Sequence, residues 1–443
     1  METYEQMKDS GYPWMGEIPS HWRDINPKAL FTQRKERARE GERQLTASQQ
    51  YGVLYQDEYM ALTGSRVVVV QKDFDILKHV EAGDFVISMR SFQGGLEYSP
   101  VSGSISSAYV MLIPNKELVY PPFYKWLLKS SAYIHALQST TDLVRDGQAM
   151  RYSNFAKVRL LVAPIDEQKR MAQFLDSRVA QIDAVLNEAR TSIEKYKKWK
   201  ESVIFEKITK GLDPNVTLKE SLSPWIGSIP AHWKKLPLKR VVLSRDGGAW
   251  GGEPLSDDID RICMRVADFN FEYGRFRRSN EDEYTKRSYS NSQVEKLTLR
   301  QGDILVEKSG GGDKTPVGRA VLFDIDVQAL FANFMDRLSI DTNVILPEFF
   351  EYFWQAMYYL AITTIYIKQT TGIQNLNISA LLEKEIIVFP DIEEQKQIIH
   401  FLDDFSENVR SLIDEKTRLI SDLEKYKKSI IYEVVTGKRK VEV

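Results

Sequence analysis

Ser309-Gly310-Gly311-Gly312-Asp313-Lys314-Thr315 has the ingredients of a phosphate-binding loop, a glycine-rich turn followed by Lys and Thr after a strand. The position before the Lys has to be Gly, and here it is Asp313, whose carboxylate repels a phosphate; the spacing to the first Gly also fails. With Lys308, Lys314 and Arg319 nearby, the segment reads instead as a flexible DNA-facing loop whose glycines allow close backbone approach. Pro390-Asp391-Ile392-Glu393-Glu394-Gln395-Lys396 carries the acidic-acidic-Lys elements of a metal-dependent nuclease. Those carboxylates normally come from separate strands so that they converge on one ion. Here they crowd the start of a helix, where Asp391 and Glu394 form an N-cap and capping box. Methyl transfer to an adenine amine needs Asn or Asp before Pro-Pro-aromatic. Val119-Tyr120-Pro121-Pro122-Phe123 lacks that amide or carboxylate and reads as a helix entry.

His21 and His232 recur in equivalent settings, each between a small residue and Trp, and read as packing or hydrogen-bonding groups. None of the 5 histidines forms an HxxxH or HExxH pair, and Cys263 is the only cysteine, so there is no disulfide framework and no thiolate metal site. The sequence therefore assigns no catalytic residue and no metal ligand. Lys and Arg total 60 against 62 Asp and Glu, a net charge of −2, where an autonomous nucleic-acid binder is usually basic. Local patches remain compatible with DNA, particularly if partner subunits add positive charge. No apolar run approaches the length of a membrane span, and the acidic N-terminus has no apolar signal region, so a cytoplasmic, soluble chain is expected.

The elements that position these residues occur twice. Trp14-Met15-Gly16-Glu17-Ile18-Pro19-Ser20-His21-Trp22 returns as Trp225-Ile226-Gly227-Ser228-Ile229-Pro230-Ala231-His232-Trp233. Glu167-Gln168-Lys169 and Phe174-Leu175-Asp176 return as Glu394-Gln395-Lys396 and Phe401-Leu402-Asp403. Each copy is far longer than a solenoid repeat, so the 443-residue chain is a tandem duplication of a domain-sized unit. Strand-like runs at residues 66–70, 84–88, 107–113, 261–266 and 303–306, punctuated by Gly, Pro and Asn, fit an irregular α+β domain. A Gly-Asp turn enters a buried strand in both copies (Gly83-Asp84, Gly302-Asp303) and leads to a Gly-rich loop. A proline-led helix follows in each, near Pro122 and Pro347.

Each half closes on a long helix free of proline and internal glycine, over 167–210 and 393–436. Val409, Leu412, Lys416, Leu419, Leu423, Tyr426 and Ile430 step alternately by three and four. The equivalent positions of the first helix are Ile182, Val185, Ala189, Ser192, Tyr196, Trp199 and Val203. This is a heptad seam over about four heptads. Two-fold-related halves favour antiparallel pairing, and at about 1.5 Å per residue each helix spans roughly 66 Å.

Two similar halves suit a partner with two similar halves, and duplex DNA with two half-sites is one. Sequence readers need Arg, Lys, Gln, Asn or Ser on loops. In the first half these are Arg90, Ser91 and Gln93, with Arg145, Gln148 and Arg151. In the second they are Lys308, Ser309 and Lys314, with Lys368, Gln369 and Gln374. Corresponding positions differ, Arg90 against Lys308 and Arg145 against Thr371, as expected of domains reading different sequences. Arg275-Phe276-Arg277-Arg278 is the densest basic cluster, either a DNA contact or a solvated charged loop.

The W-x-G-x-I-P-x-H-W opening, the Gly-Asp strand, the Pro-x-x-Glu-Gln-Lys helix start and the helix ends Trp199-Lys200-Glu201-Ser202 and Tyr426-Lys427-Lys428-Ser429 resemble the DNA-specificity subunits of type I restriction–modification enzymes. The resemblance covers the whole chain, with every motif present twice in the right order. It implies two similar target-recognition domains, residues 1–164 and 212–391, alternating with two long helices, 165–211 and 392–443 with a short tail. The helices would form an antiparallel coiled coil with pseudo-two-fold symmetry. It implies partners as well: double-stranded DNA, two methyltransferase subunits docked on the coil (Ile182, Val185, Tyr196, Trp199, Val409, Leu412, Leu423 and Tyr426 being the coil residues), and restriction/translocase subunits. S-adenosylmethionine, ATP and Mg are expected on those partners and no cofactor on this chain. Two rival readings are a protein-assembly scaffold without DNA readout and a self-contained restriction or methylation enzyme.

Overall fold

The computed structural model describes residues 3–67, 76–140, 150–256, 260–271, 274–276, 283–370 and 372–442. Two compact units divide the chain: residues 1–190 with 417–443, and residues 191–416. The two units repeat one topology. In the first, a four-stranded antiparallel sheet runs in the order Phe31–Arg34, Val110–Pro114, Phe85–Ile87, Glu97–Tyr98. In the second the order is Val242–Gly247, Met335–Ile340, Ile304–Glu307, Ala320–Leu322. Both sheets therefore place the chain's first, fourth, second and third strand side by side. Each unit adds a hairpin ending at the Ile-Pro of the Trp-framed motif, Met7–Asp9 with Glu17–Pro19 and Leu218–Glu220 with Ser228–Pro230. A strand just after that motif pairs in each unit with the strand leading into the long helix. The units differ at the periphery. The second carries an additional core around a parallel pair, Asp260–Met264 with Ala329–Phe331, whereas the first carries a small one under the hairpin Leu45–Ser48 and Gly52–Tyr55.

The strand-like run at 66–70 falls largely outside the described residues, and Arg66 and Val67 are not in a strand. Ser91–Gly94, expected as loop, is one helical turn.

The long helices run Ile165–Lys210 and Ile392–Val435. Acidic residues in each first turn (Asp166 and Glu167, Glu393 and Glu394) complement the helix dipole. Each helix gives way to a glycine in the left-handed region, Gly211 at φ 75° and Gly437 at φ 72°. Both helices contribute to both units, where they pair antiparallel. In the first unit Asp183 meets Lys427 at 2.7 Å and Arg190 meets Glu424 at 2.8 Å. In the second the Trp199 ring stands edge-on to Phe405 at 4.8 Å.

Burial corrects the predicted seam by one residue at alternate positions. Ile182, Ala189 and Val409 face inward as expected, and Tyr196, Leu423 and Tyr426 are half-buried. Val185, at 44% exposure, and Leu412, at 37%, point outward, and Leu186 and Ile413 take their places at 3% and 8%. Leu419 likewise yields to Ile420. Trp199 keeps 49% of its surface exposed while its edge rests on Phe405. The physical reason is the geometry of the strip. An apolar face about 100° wide admits two adjacent residues, and spacing alone does not say which of the two the partner covers.

The repeated motifs meet in a clasp. Glu167 Oε1 contacts His21 Nε2 at 2.7 Å, and its Oε2 accepts from Trp22 Nε1 at 3.0 Å and Tyr4 OH at 2.9 Å. Glu394 does the same with His232 Nε2 at 2.8 Å and Trp233 Nε1 at 3.0 Å. The adjacent glutamines pin the lead-in to the proline-led helices, Pro121–Leu127 and Pro347–Tyr359. Gln168 accepts from Tyr120 N at 2.8 Å and donates to Leu118 O, and Gln395 accepts from Leu346 N at 2.8 Å and donates to Val344 O. Asp176 and Asp403 then hold those helices through Trp126 Nε1 at 2.8 Å and Tyr352 OH at 2.6 Å. Asp391 caps Glu394 N at 2.9 Å, but the Glu394 carboxylate goes to the clasp, so the capping box is only half formed.

Candidate nucleic-acid interface

The sheet of each unit ends in loops, and the predicted contact residues separate there by exposure. In the first unit Arg90 follows strand Phe85–Ile87 and is exposed, as are Gln93 one turn later and Arg151. Ser91 is buried, and its hydroxyl accepts from Ser88 N at 2.9 Å. It braces the turn and is corrected from a contact to a support. Arg145 and Gln148 lie outside the described residues.

In the second unit Ser309-Gly310 forms a short strand against Ile373–Leu376, which pairs in turn with Ile367–Thr370. Lys368 and Gln369 are exposed on that outer strand, and Lys314 is exposed on the glycine loop. Gln374 is buried, accepting from Val317 N at 3.2 Å, so it too is corrected to a support. Lys308 is half-buried and ion-paired with Asp336 at 2.7 Å, and Ser309 donates to Asn375 Oδ1 at 2.6 Å. The basic cluster at 275–278 resolves against both of its readings at the one cation described. Arg275 turns inward to Glu351, fully buried, at 3.2 Å and to Asp324 at 3.5 Å. Burial lifts the Glu351 carboxyl to about 7 against the pull of Arg275.

The two units therefore present unlike surfaces on like scaffolds. Arg90 contributes an exposed cation, whereas its counterpart Lys308 is largely neutralised and Lys314 and Lys368 carry the exposed charge. Beside Arg90 lies a cleft of about 670 Å³. It is lined in part by Gln49 and Gln50 of a turn that sequence reasoning passed over; the signal was Gly52, at φ 73°, between two β-type runs. On the coil, Arg178 lies 5.9 Å from the Tyr426 ring, and Arg178 and Arg439 hold the Tyr426 hydroxyl below its usual range. Among the described residues no group of three or more His, Cys, Asp or Glu is placed to hold a metal ion, and no helix is long and apolar enough to cross a membrane.

Comparison with known proteins follows the same lines. The family model described as "Type I restriction modification DNA specificity domain" matches residues 269–420. Over 294 residues the chain is 26% identical to the type I restriction enzyme MjaVIII specificity subunit of Methanocaldococcus jannaschii, covering 65% of this chain and 63% of that one. The chain is thus similar to type I restriction–modification specificity subunits, with the family model matching residues 269–420. A second relative, the type I restriction enzyme EcoBI specificity subunit of Escherichia coli, is 22% identical over 63% of this chain and 58% of its own length. The matches thus span less than two thirds of these relatives. The fold extends further. A solved structure described as "Structural basis underlying complex assembly and conformational transition of the type I R-M system" matches with a TM-score of 0.68 at 14% identity, over 94% of this chain and 98% of that one. The HsdS subunit from Thermoanaerobacter tengcongensis matches with a TM-score of 0.52, also at 14% identity, over 95% and 98%.

Proposed function

We propose that the chain is the DNA-recognition subunit of a type I restriction–modification complex. It grips a split, asymmetric DNA site, one half-site per unit, and presents it to adenine methyltransferase subunits for methylation and to restriction/translocase subunits for cleavage. It performs no chemistry itself. S-adenosylmethionine, ATP and Mg belong to the partner subunits, and the complex works in the cytoplasm. The observation that carries this reading is the pairing of one duplicated topology with dissimilar loop surfaces, exposed Arg90 in one unit and ion-paired Lys308 in the other. Two copies of one scaffold bearing different polar side chains suit two half-sites of different sequence. Val185, Trp199, Phe401 and Leu412, exposed apolar residues on the long helices, supply surface for the methyltransferase subunits.

The test is to map methylated adenines in cells expressing the chain with its methyltransferase partner. A bipartite, non-palindromic motif with a fixed spacer is expected. A continuous or perfectly palindromic motif would overturn the reading.

A further inference from the structure

The cleft beside Arg90 differs in chemistry from the rest of a chain that carries 62 acidic residues. Among the described residues no carboxylate lines it, and its one cation is Arg90. Its other polar lining is uncharged: Gln49 and Gln50 from the turn between Leu45–Ser48 and Gly52–Tyr55, Gln93 from the turn after Arg90, and the hydroxyl-bearing Ser48, Ser88, Tyr59 and Tyr109. The two turns are clipped together. Gln49 Nε2 donates to Arg90 O at 3.2 Å, Lys129 Nζ donates to Gln49 O at 2.9 Å, and the bare Cα of Gly94 makes room, since a Cβ there would lie 2.7 Å from Gln49 Cγ. Gln49 is thereby spent on positioning. Gln50, Gln93 and Arg90 are exposed, and their side chains make no hydrogen bond or ion pair among the described residues. Met89, 50% exposed, adds an apolar contact at the rim.

An unpaired carboxamide offers one donor and one acceptor side by side, which matches the N6 and N7 edge of adenine in the major groove. A guanidinium matches O6 and N7 of guanine, and an apolar side chain suits the thymine methyl group. Other ligand classes fit less well, because a phosphate site would bring several cations and a peptide groove a longer apolar floor.

We propose that the Gln49–Tyr51 turn is a second sequence-reading element of the first unit, in which Gln50 reads an adenine next to the base read by Arg90. This rests on the DNA-recognition function proposed above and adds to it the identity of a base and the residue that selects it. Gln50 is a specificity-determining residue and Gln49 a positioning residue. Because Gln50 is exposed, its substitution leaves the fold intact.

The experiment compares methylation motifs of the wild-type chain, Gln50→Ala, Gln50→Glu and Arg90→Ala, each full-length and co-expressed with the methyltransferase partner. Gln50→Ala should relax one adenine position of one half-site, with discrimination falling roughly 5- to 150-fold. Gln50→Glu should turn that same position towards cytosine, whose N4 amine donates to a carboxylate. Arg90→Ala should relax a neighbouring position of the same half-site. The other half-site and the spacer should stay unchanged throughout. If the wild type yields a split motif and neither Gln50 variant alters it, or the altered position is not an adenine or lies in the half-site Arg90 does not touch, the assignment is wrong and the general function stands. If the wild type yields no split motif, the general function fails and this assignment with it.

Discussion

Glu167 and Glu394 show how two acidic residues in a chain with no assigned catalysis come to be fixed in place. Each carboxylate gathers a His and a Trp from the repeated motif, and Glu167 adds Tyr4. Burial alone would raise the Glu167 carboxyl, but hydrogen bonds from His21, Trp22 and Tyr4 outweigh it and hold the group below its ordinary 4.5. A depressed carboxyl stabilises the fold above its unfolded value, and that contribution is lost as the pH falls through the folded value. Glu167→Ala should lower stability by about 1–3 kcal/mol at neutral pH, because the buried Trp22 indole loses its acceptor. The loss should shrink in acid, and chemical denaturation at pH 7 and pH 3.5 checks it; an equal loss at both would remove the charge from the account. Glu351 runs the other way. Its folded value near 7 lies above 4.5, so the folded state holds more protons between the two and stability falls as the pH rises across that window. Glu351→Gln should flatten the stability profile from about pH 4.5 to 7, and a profile unchanged from wild type would show that Arg275 already neutralises the site.

At the scale of elements, the two long helices were legible from their heptads, their start motifs and their freedom from proline, and the proline-led helices from Pro122 and Pro347, the first starting one residue earlier, at Pro121. Their inward faces were only partly legible. Val185 and Leu186 are adjacent apolar residues of similar size, and the partner helix covers Leu186. Leu186→Ala should therefore cost about 2–5 kcal/mol and Val185→Ala less than about 1 kcal/mol, read as shifts in melting temperature. Equal costs would return Val185 to the seam. The role of the repeated Glu-Gln pair escaped notice because its partners are remote in sequence, 145 to 163 residues away for the glutamates and 48 to 51 for the glutamines. The available sign was that Glu-Gln and His-Trp occur together in both halves. Ser91 and Gln374 were misread because a polar type does not reveal which way a loop residue turns. Helix ends are as constrained as helix faces. A Cβ on Gly437 would lie 2.3 Å from Pro19 Cδ, whereas one on Gly211 would meet Glu394 Oε1 at 3.1 Å. Both glycines sit at positive φ, so Gly→Ala should cost about 1 kcal/mol at either from the backbone alone. Gly437→Ala should cost clearly more, because the proline ring cannot yield as a side-chain tip can.

For the molecule as a whole, the duplication in sequence is a duplication in topology, and each long helix serves both units. Its continuity underlies a prediction about the proposed DNA site. Removing Ala184–Arg190 together with Ile420–Tyr426 deletes one heptad from each helix at facing positions, taking the Arg190–Glu424 pair and sparing Asp183–Lys427. Each helix shortens by about 10 Å against roughly 3.4 Å per base pair, so the preferred spacer should shrink by one to three base pairs with both half-sites retained. A folded, methylating variant with the original spacer would refute the coil as a ruler. A second expectation concerns integrity. The first core includes Ile430, Val434 and Val435, each fully buried. At about 1.5–3 kcal/mol apiece their contribution rivals the roughly 5–15 kcal/mol stability of a domain. A chain ending after Lys416 should show limited proteolysis of residues 1–190 while residues 191–416 stay protected.

The same arrangement sets an order of events during synthesis. The second unit draws only on residues 191–416, so every part it needs emerges from the ribosome in one uninterrupted stretch. The first unit begins earlier and finishes later, because the helix turns that close its core and the Lys438 that reaches back to Met15 O are translated after the whole of the second. At roughly 5–20 residues per second that leaves the nascent first unit open for on the order of tens of seconds, its apolar face uncovered. The half of the protein made first is thus the half completed last, closed only once residues 417–443 have been made.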